Sequence, residues 1–465
     1  MSAHPAGPRS ASSHAAAAPV LPAHAAHSES VWPANAVWGT DGLEIAGVTA
    51  SDLVSEHGSP LFVIDERDVR DRARAYASAY AGCDVFYAAK AFLSVDFARW
   101  VLAEGLGIDV CTLGELRCAL AAGASGEQLL MHGNNKTSEE LAAALEARVR
   151  FIVADSLQEV QRLAELAAVR GVAAQVLVRV TVGVEAHTHE FIATAHEDQK
   201  FGFSLASGAA RAAVDAVVAS PHLAFAGLHS HIGSQIFDEQ GFLVAVARLI
   251  GFCRELAAAG IGVANLNLGG GAGISYLPSD DPVGIADLAR RLRTAVAQDC
   301  EAAGIPEPRI MVEPGRSIAG PAGITLYTVG TVKDVVVGSG VARTYVSVDG
   351  GMSDNIRTSL YDADYTVAHA SRRAGEGDEQ RLARIVGRHC ESGDILVRDA
   401  HVLSDIAPGE LLAVAATGAY CRSMSSNYNH TPRPAVVAVR DGKSSVLIRR
   451  ESLDDLLALD EGMLR

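Results

Sequence analysis

FIVADSLQEVQRLAELAAVRGVAAQVLVRV (151–180) holds one complete structural unit. It opens on a short apolar run, FIVADS (151–156), and closes on a second, QVLVRV (175–180). Between them, SLQEVQRLAELAAV (156–169) repeats its apolar residues at three- and four-residue spacing. Short apolar runs read as buried strands and the middle stretch as an amphipathic helix, so the unit is strand, helix, strand. The same rhythm extends in both directions. VFYAAK (85–90), GIDVCT (107–112) and LLMHG (129–133) precede it, with helix-like EELAAALEA (139–147) between. FAGLHSHIG (225–233), NLNLGGG (265–271) and IMVEPGR (310–316) follow it. Alternating strands and helices imply a parallel sheet, and eight is the number that closes a (β/α)₈ barrel. The count favours the barrel over an open doubly wound sheet.

From about residue 322 the rhythm changes. ITLYTVGTVKDVVV (324–337), ARTYVSVDGG (342–351), ARIVGRHC (383–390), ELLAVAATGAY (410–420) and AVVAVRDGKSSVLIRR (435–450) are strand-like and separated by Gly and Asp turns, as in an all-β domain. WGTDGLEIAGV (38–48) reads as a hairpin with Asp41-Gly42 at its turn. The expected division is therefore a disordered tail (1–34), a segment pairing with the β domain (35–60), the barrel (61–321) and the β domain (322–465). A chain of 465 residues exceeds one ordinary core. Its net charge of −16 argues against nucleic acid as a partner. No apolar run approaches the roughly 18–20 residues of a membrane span. The seven cysteines are odd in number and form no CxxC pair, which suits reduced thiols in the cytoplasm.

Lys90, Thr112, His132, Asp155, His231, Gly269 to Gly271 and Glu313 all fall at the C-terminal ends of the barrel runs. Any one alone is a strand-end polar residue facing solvent. Together they mark the face where such barrels carry their active sites. Lys90, closing an apolar strand, is expected to be partly desolvated and so available for Schiff-base chemistry; the competing reading is a snorkelling surface lysine. NLGGGAG (267–273) lets backbone N–H groups approach an anion, with Ser234 and Arg316 as further donors; a flexible turn is the alternative. His229 and His231 share one strand face, a possible metal pair, but no further ligand stands at metal-like spacing. No metal is expected, and an imidazole stacked on an aromatic cofactor is the better reading. Glu313 before Pro-Gly is either a turn-capping acid or the carboxylate that keeps a pyridine nitrogen protonated. Cys390, beside Glu391, suits a proton donor better than a nucleophile; locally it reads equally as a half-buried cysteine. Val184 to Gln199 exceeds the usual connection length and is expected to act as a mobile lid.

Taken together the motifs resemble the fold-type III decarboxylases that use pyridoxal 5'-phosphate (PLP). The matching segments are YAAKAF (87–92), DVCTLGEL (109–116), HGNNK (132–136), GLHSHIGSQ (227–235), NLGGGAGISY (267–276), EPGRSI (313–318), DGGMSDNIRTSLY (349–361), CESGD (390–394) and GAY (418–420). They cover nearly the whole chain from about residue 36, and VRVTVGVEAHTHEFIATAHEDQKFGFS (178–204) looks like the actinobacterial branch.

The resemblance implies PLP held by Lys90, with His231 stacked on its ring and Glu313 at the ring nitrogen. It places Ser234, Gly271, Gly315 and Arg316 at the phosphate. It gives Arg316, Arg357 and Tyr361 a substrate carboxylate and Glu391 the distal ammonium. Tyr420 lies near both cofactor and substrate, and Cys390 is the proton donor. The substrate it implies is meso-diaminopimelate, decarboxylated to L-lysine. Ornithine, arginine or a carboxylated polyamine is the alternative within the fold. It also implies a homodimer in which the second subunit supplies Cys390 and Glu391. Two positions depart from the family pattern: Leu113-Gly114 stands where two glycines are usual, and Ala272 where a bulkier residue is common.

Overall fold

The computed structural model describes residues 22–27, 29–183, 200–337 and 341–464. The expected lid at 184–199 lies outside the described residues. The chain divides into two compact units, one of residues 69–274 and 281–318, the other of residues up to 68, 275–280 and from 319 onward.

The first unit is a closed barrel. Its strands are β1 (Asp84–Ala88), β2 (Gly107–Val110), β3 (Leu129–Met131), β4 (Phe151–Ala154), β5 (Ala174–Thr181), β6 (Leu223–His229), β7 (Asn265–Asn267) and β8 (Arg309–Val312). Each pairs in parallel with its neighbours, and β8 returns to β1 through Met311 opposite Asp84 and Val312 opposite Val85. All eight apolar runs are therefore barrel strands. The unit at 151–180 shows how the sequence sets the geometry. The Ser156 hydroxyl accepts the Glu159 N–H at 3.2 Å and starts the helix Leu157–Arg170. Gly171 ends it in the left-handed region. The chain then re-enters the sheet as β5, beside β4. Phe86, Leu130, Phe151, Val153, Leu177, Ala226 and Met311 form one buried cluster drawn from these strands.

The second unit is built on a mixed sheet. Its path runs Ile395–Leu403, Gln380–Val386, Val341–Val348, Gly323–Val337, Leu61–Asp65, Ala435–Arg440, Lys443–Ile448, and Leu411–Val414 also pairs with Gly323–Val337. Two expectations need correction. Leu61–Asp65, placed by sequence at the start of the barrel, lies in this sheet, antiparallel to Gly323–Val337 and parallel to Ala435–Arg440. All five of its residues are buried, and a continuous apolar run carries no mark of which sheet it joins. Part of the segment before residue 35, expected to be a disordered tail, is also folded. Ala23–His27 and Glu29–Val31 form 3₁₀ turns, and the Trp32 indole donates to the Ala26 carbonyl at 2.7 Å. Val31, Trp32 and Ala26 join the apolar core of this unit, and a few aromatic and small side chains suffice to dock so short a piece. The hairpin of Ala36–Gly39 and Gly42–Ile45 turns through Thr40 and Asp41.

His369 sits in this unit with its Nε2 accepting the Leu403 N–H at 3.1 Å and its Nδ1 buried without a partner. Burial, offset in part by Glu410, holds its pKa down to about 4, so the ring folds neutral. A depressed histidine contributes stability above its unfolded value of 6.5 and loses it as pH falls from there toward 4. Between about pH 7.5 and 5 this should remove roughly 2 kcal/mol. Urea unfolding of a His369→Gln variant, which keeps an acceptor for Leu403, should show a pH slope smaller by that amount. An unchanged slope would remove His369 from the account.

Candidate active site

Glu313, just past β8, is the centre of a buried polar cluster. Its Oε1 accepts from His132 Nε2 at 2.7 Å and Asn267 Nδ2 at 2.6 Å, and its Oε2 lies 3.3 Å from His229 Nε2. These partners come from the ends of β3, β6 and β7, so the barrel itself brings them together. Burial opposes a charge on Glu313, yet the facing His132 and His229 rings hold it well below the usual carboxylate range. Burial pushes His229 down to about 4, against the pull of Glu313. The histidines are thus neutral donors, and the His229 Nδ1 left over is buried without a partner. No Lys or Arg pairs with Glu313 among the described residues. The buried Arg179 guanidinium acts on Glu313 through space, without an ion-pair contact to it.

Asp109 lies beside it, 3.9 Å from His132 Nε2. Burial, then repulsion from Glu313, drives its pKa well up, while that of Glu313 is driven down. Two carboxyl groups driven apart in this way mark a site tuned for chemistry. His132, His229 and Glu313 also place three potential ligand atoms within 4.8 Å of one another. Hydrogen bonding accounts for that spacing, since each imidazole Nε2 faces a Glu313 oxygen.

Lys90 follows β1 on the one-turn helix Ala89–Ala91. The desolvation expected for it is not found: Lys90 is exposed, although Ala89 and Ala91 on either side of it are buried. Its charge still reaches the cluster and depresses His231, after burial the largest cause of that shift. Ala88 N–H donates to the Pro314 carbonyl at 3.0 Å, which ties the lysine loop to the Glu313 loop.

Three more loops build a cradle. Gly270 N–H donates to His231 Nδ1 at 3.2 Å, and Ile236 N–H donates to the Gly271 carbonyl at 2.9 Å. Gly271 has φ +120°, and a Cβ there would meet the Gly233 oxygen at 2.3 Å; one on Gly270 would meet the Glu313 oxygen at 2.1 Å. Only glycine permits so close an approach of backbones. Arg316 reaches the same place, its Nε and Nη2 donating to the Ser234 hydroxyl at 3.2 and 2.9 Å. A buried carboxylate and, beside it, a glycine loop with Ser234 and Arg316 are the kinds of group that suit a cofactor with a basic ring nitrogen and a phosphate.

A profile of the family described as "Pyridoxal-dependent decarboxylase, pyridoxal binding domain" matches residues 66–320. Diaminopimelate decarboxylase of Mycobacterium tuberculosis is 56% identical over 92% of this chain and 97% of its own length. The chain belongs to the diaminopimelate decarboxylases. That of Bacillus subtilis is 44% identical over 90% of this chain and 95% of its own. The M. jannaschii diaminopimelate decarboxylase solved in co-complex with L-lysine superimposes with a TM-score of 0.85 at 30% identity, covering 92% of this chain and 97% of that one. Membership brings PLP as the cofactor and carboxy-lyase chemistry as the activity.

Of the residues singled out by sequence, the barrel unit places Lys90, His132, His231, Ser234, Gly271, Glu313, Gly315 and Arg316 on these strand ends and loops. Thr112 is not among them in role. It is exposed, and its hydroxyl caps the helix Leu113–Ala121 by accepting the Glu115 N–H at 3.2 Å. Leu113 merely opens that helix, and a Cβ on Gly114 would have room, so this departure from the family pattern is local. Asp155 is turned to Arg179 at 3.6 Å and to the Gly202 N–H at 2.8 Å. Asp109 and Asn267 belong to the cluster although sequence reasoning gave them no place in it, and His229, singled out only as one of two histidines on a strand face, is a partner of Glu313. Their one signal is a polar residue inside an otherwise apolar strand.

The β unit holds the others. Arg357 and Tyr361 bound the short helix Arg357–Tyr361. Tyr420 has φ +59°, a strained conformation for a bulky side chain and one that clusters at functional sites. Cys390 and Glu391 are exposed, and Glu391 accepts from the Tyr428 hydroxyl at 2.6 Å. Asp394 fastens their loop by accepting the His389 and Met352 N–H groups at 2.7 and 2.6 Å. Among the described residues no helix is long and apolar enough to cross a membrane.

Proposed function

We propose that the chain removes carbon dioxide from meso-2,6-diaminopimelate to leave L-lysine, the last step of lysine biosynthesis, with Lys90 carrying PLP. The observation that supports this substrate is Arg357. Its side chain is buried, its Nε has no partner, and no carboxylate pairs with it among the described residues. A buried guanidinium without a counter-ion is costly, and a ligand carboxylate relieves that cost. Ornithine or arginine would bring a second cation to this residue, whereas meso-diaminopimelate brings a carboxylate.

When bound, PLP supplies a protonated ring that accepts the electron pair of the breaking Cα–carboxylate bond. Glu313, ionised and held by two neutral histidines, keeps the ring nitrogen protonated. His231 would stack on the ring, and Ser234, Gly271, Gly315 and Arg316 would hold the phosphate. Arg316, Arg357 and Tyr361 hold the substrate's carboxylate, and Glu391 takes the distal ammonium. With both ends read, the bond to be broken is aligned and carbon dioxide departs. The Cys390 thiol then delivers a proton to Cα, and Tyr420 is assigned a place near both cofactor and substrate.

Cys390 and Glu391 are exposed on the β unit, which suits residues that serve the active site of a second subunit. The working form is on this reading a homodimer with shared sites, located in the cytoplasm; none of the seven cysteines is in a disulfide, in keeping with a reducing compartment. Subunit exchange tests the arrangement. A Lys90→Ala chain and a Cys390→Ala chain, each inactive, should regain activity when mixed, because one site of the heterodimer recovers both groups. A verified heterodimer with no activity above its parents would contradict shared sites.

A further inference from the structure

Two phenols, and no acid, hold the guanidinium of Arg357. Its Nη1 donates to the Tyr276 hydroxyl at 2.8 Å and to the Tyr365 hydroxyl at 2.5 Å. The guanidinium carbon also lies over both rings, 4.8 and 5.6 Å from their centroids. The rings meet edge to face at 5.2 Å. Their placement is fixed through the backbone, since Thr366 donates its N–H and its hydroxyl to the Tyr276 carbonyl at 3.1 and 2.8 Å. Tyr365 Oη in turn reaches Cys421 Sγ, next to Tyr420, at 3.7 Å. Tyr276, Tyr365 and Arg357 all belong to the same compact unit.

The choice of phenol has a chemical consequence. A carboxylate at either position would orient Arg357 equally well and cancel its charge. A neutral hydroxyl orients it and leaves the charge for a ligand. The two hydroxyls also converge on one nitrogen. With Nη1 occupied twice, the edge formed by Nε and Nη2 makes no hydrogen bond among the described residues. That edge presents two parallel N–H groups, the match for a carboxylate met side-on.

We infer that Tyr276 and Tyr365 are specificity residues that act through Arg357, holding it as an uncompensated cation whose Nε–Nη2 edge selects ligands with a carboxylate. This rests on the reading of Arg357 as the substrate's carboxylate partner. Neither tyrosine touches the reacting carbon on this reading; both are positioning residues.

The test compares two competitive inhibitors of the holoenzyme, L-lysine and 1,5-diaminopentane (cadaverine), which differ by the carboxylate. In a Tyr276→Phe/Tyr365→Phe variant the inhibition constant of L-lysine should rise about 10- to 30-fold, the scale of losing hydrogen bonds to a charged group, and that of cadaverine should stay within about twofold. Tyr365→Phe alone, which removes one hydroxyl and no ring, should move L-lysine in the same direction by a smaller factor. Parallel weakening of both inhibitors would show a merely structural role and overturn the inference, as would an unchanged constant for L-lysine. Arg357→Met separates this from the underlying reading. If it collapses the preference for L-lysine and the tyrosine variants do not, the inference alone falls. If Arg357→Met leaves the preference intact, the reading of Arg357 falls with it.

Discussion

Glu313→Gln should lower kcat about 10²–10³-fold, the cost of removing one preorganised electrostatic partner of the reacting system. The carboxylate is ionised because two neutral histidines and Asn267 donate to it in a buried setting. A glutamine has the same shape and no charge, so nothing keeps the ring nitrogen of the cofactor protonated. Its amide N–H groups would also face donors where the carboxylate offered acceptors. Lys90 should nevertheless still hold the cofactor, so borohydride should fix it to the same peptide as in the parent. A kcat within about threefold of the parent, with cofactor content unchanged, would remove Glu313 from the chemistry.

Arg357→Ala should weaken transition-state binding of meso-diaminopimelate by roughly 2–4 kcal/mol, the range for truncating one partner of a buried charge pair. Arg357→Lys should raise KM, because an ammonium cannot copy the side-on pair of N–H bonds. Cofactor absorbance should be unchanged in both, since the residue is assigned to the substrate. The contrary case is a residue that only braces the β unit. A lowered melting temperature with normal kcat and KM in the folded fraction would establish that instead.

The barrel was legible because its strands are short apolar runs alternating with amphipathic helices, some with a clear start signal such as Ser156 before Leu157–Arg170. The glycine loop was legible for a related reason: three adjacent glycines have few uses other than close approach of backbone to backbone or ligand. What was not legible was whatever depends on partners distant in sequence. LFVID (61–65) has the composition of a barrel strand, and only its pairing with 323–326 and 435–439 reveals its sheet. Thr112 and His132 both end a barrel run, yet one caps a helix in solvent and the other holds a buried carboxylate. Lys90 was expected to be desolvated by its apolar strand, but it is exposed between the buried Ala89 and Ala91. Asp109 carries no local mark of its raised pKa, which comes from burial and then from Glu313 some two hundred residues away in the chain.

The measurement that tests the central claim most directly is carbon dioxide release by the purified chain, loaded with PLP, from a panel of amino acids. The account predicts release from meso-diaminopimelate, with one L-lysine formed per carbon dioxide, loss of the activity when PLP is removed and return when it is added back. It predicts no comparable release from ornithine, arginine or carboxylated polyamines. Turnover of one of those in preference to meso-diaminopimelate, or release from meso-diaminopimelate that persists without PLP, would contradict it.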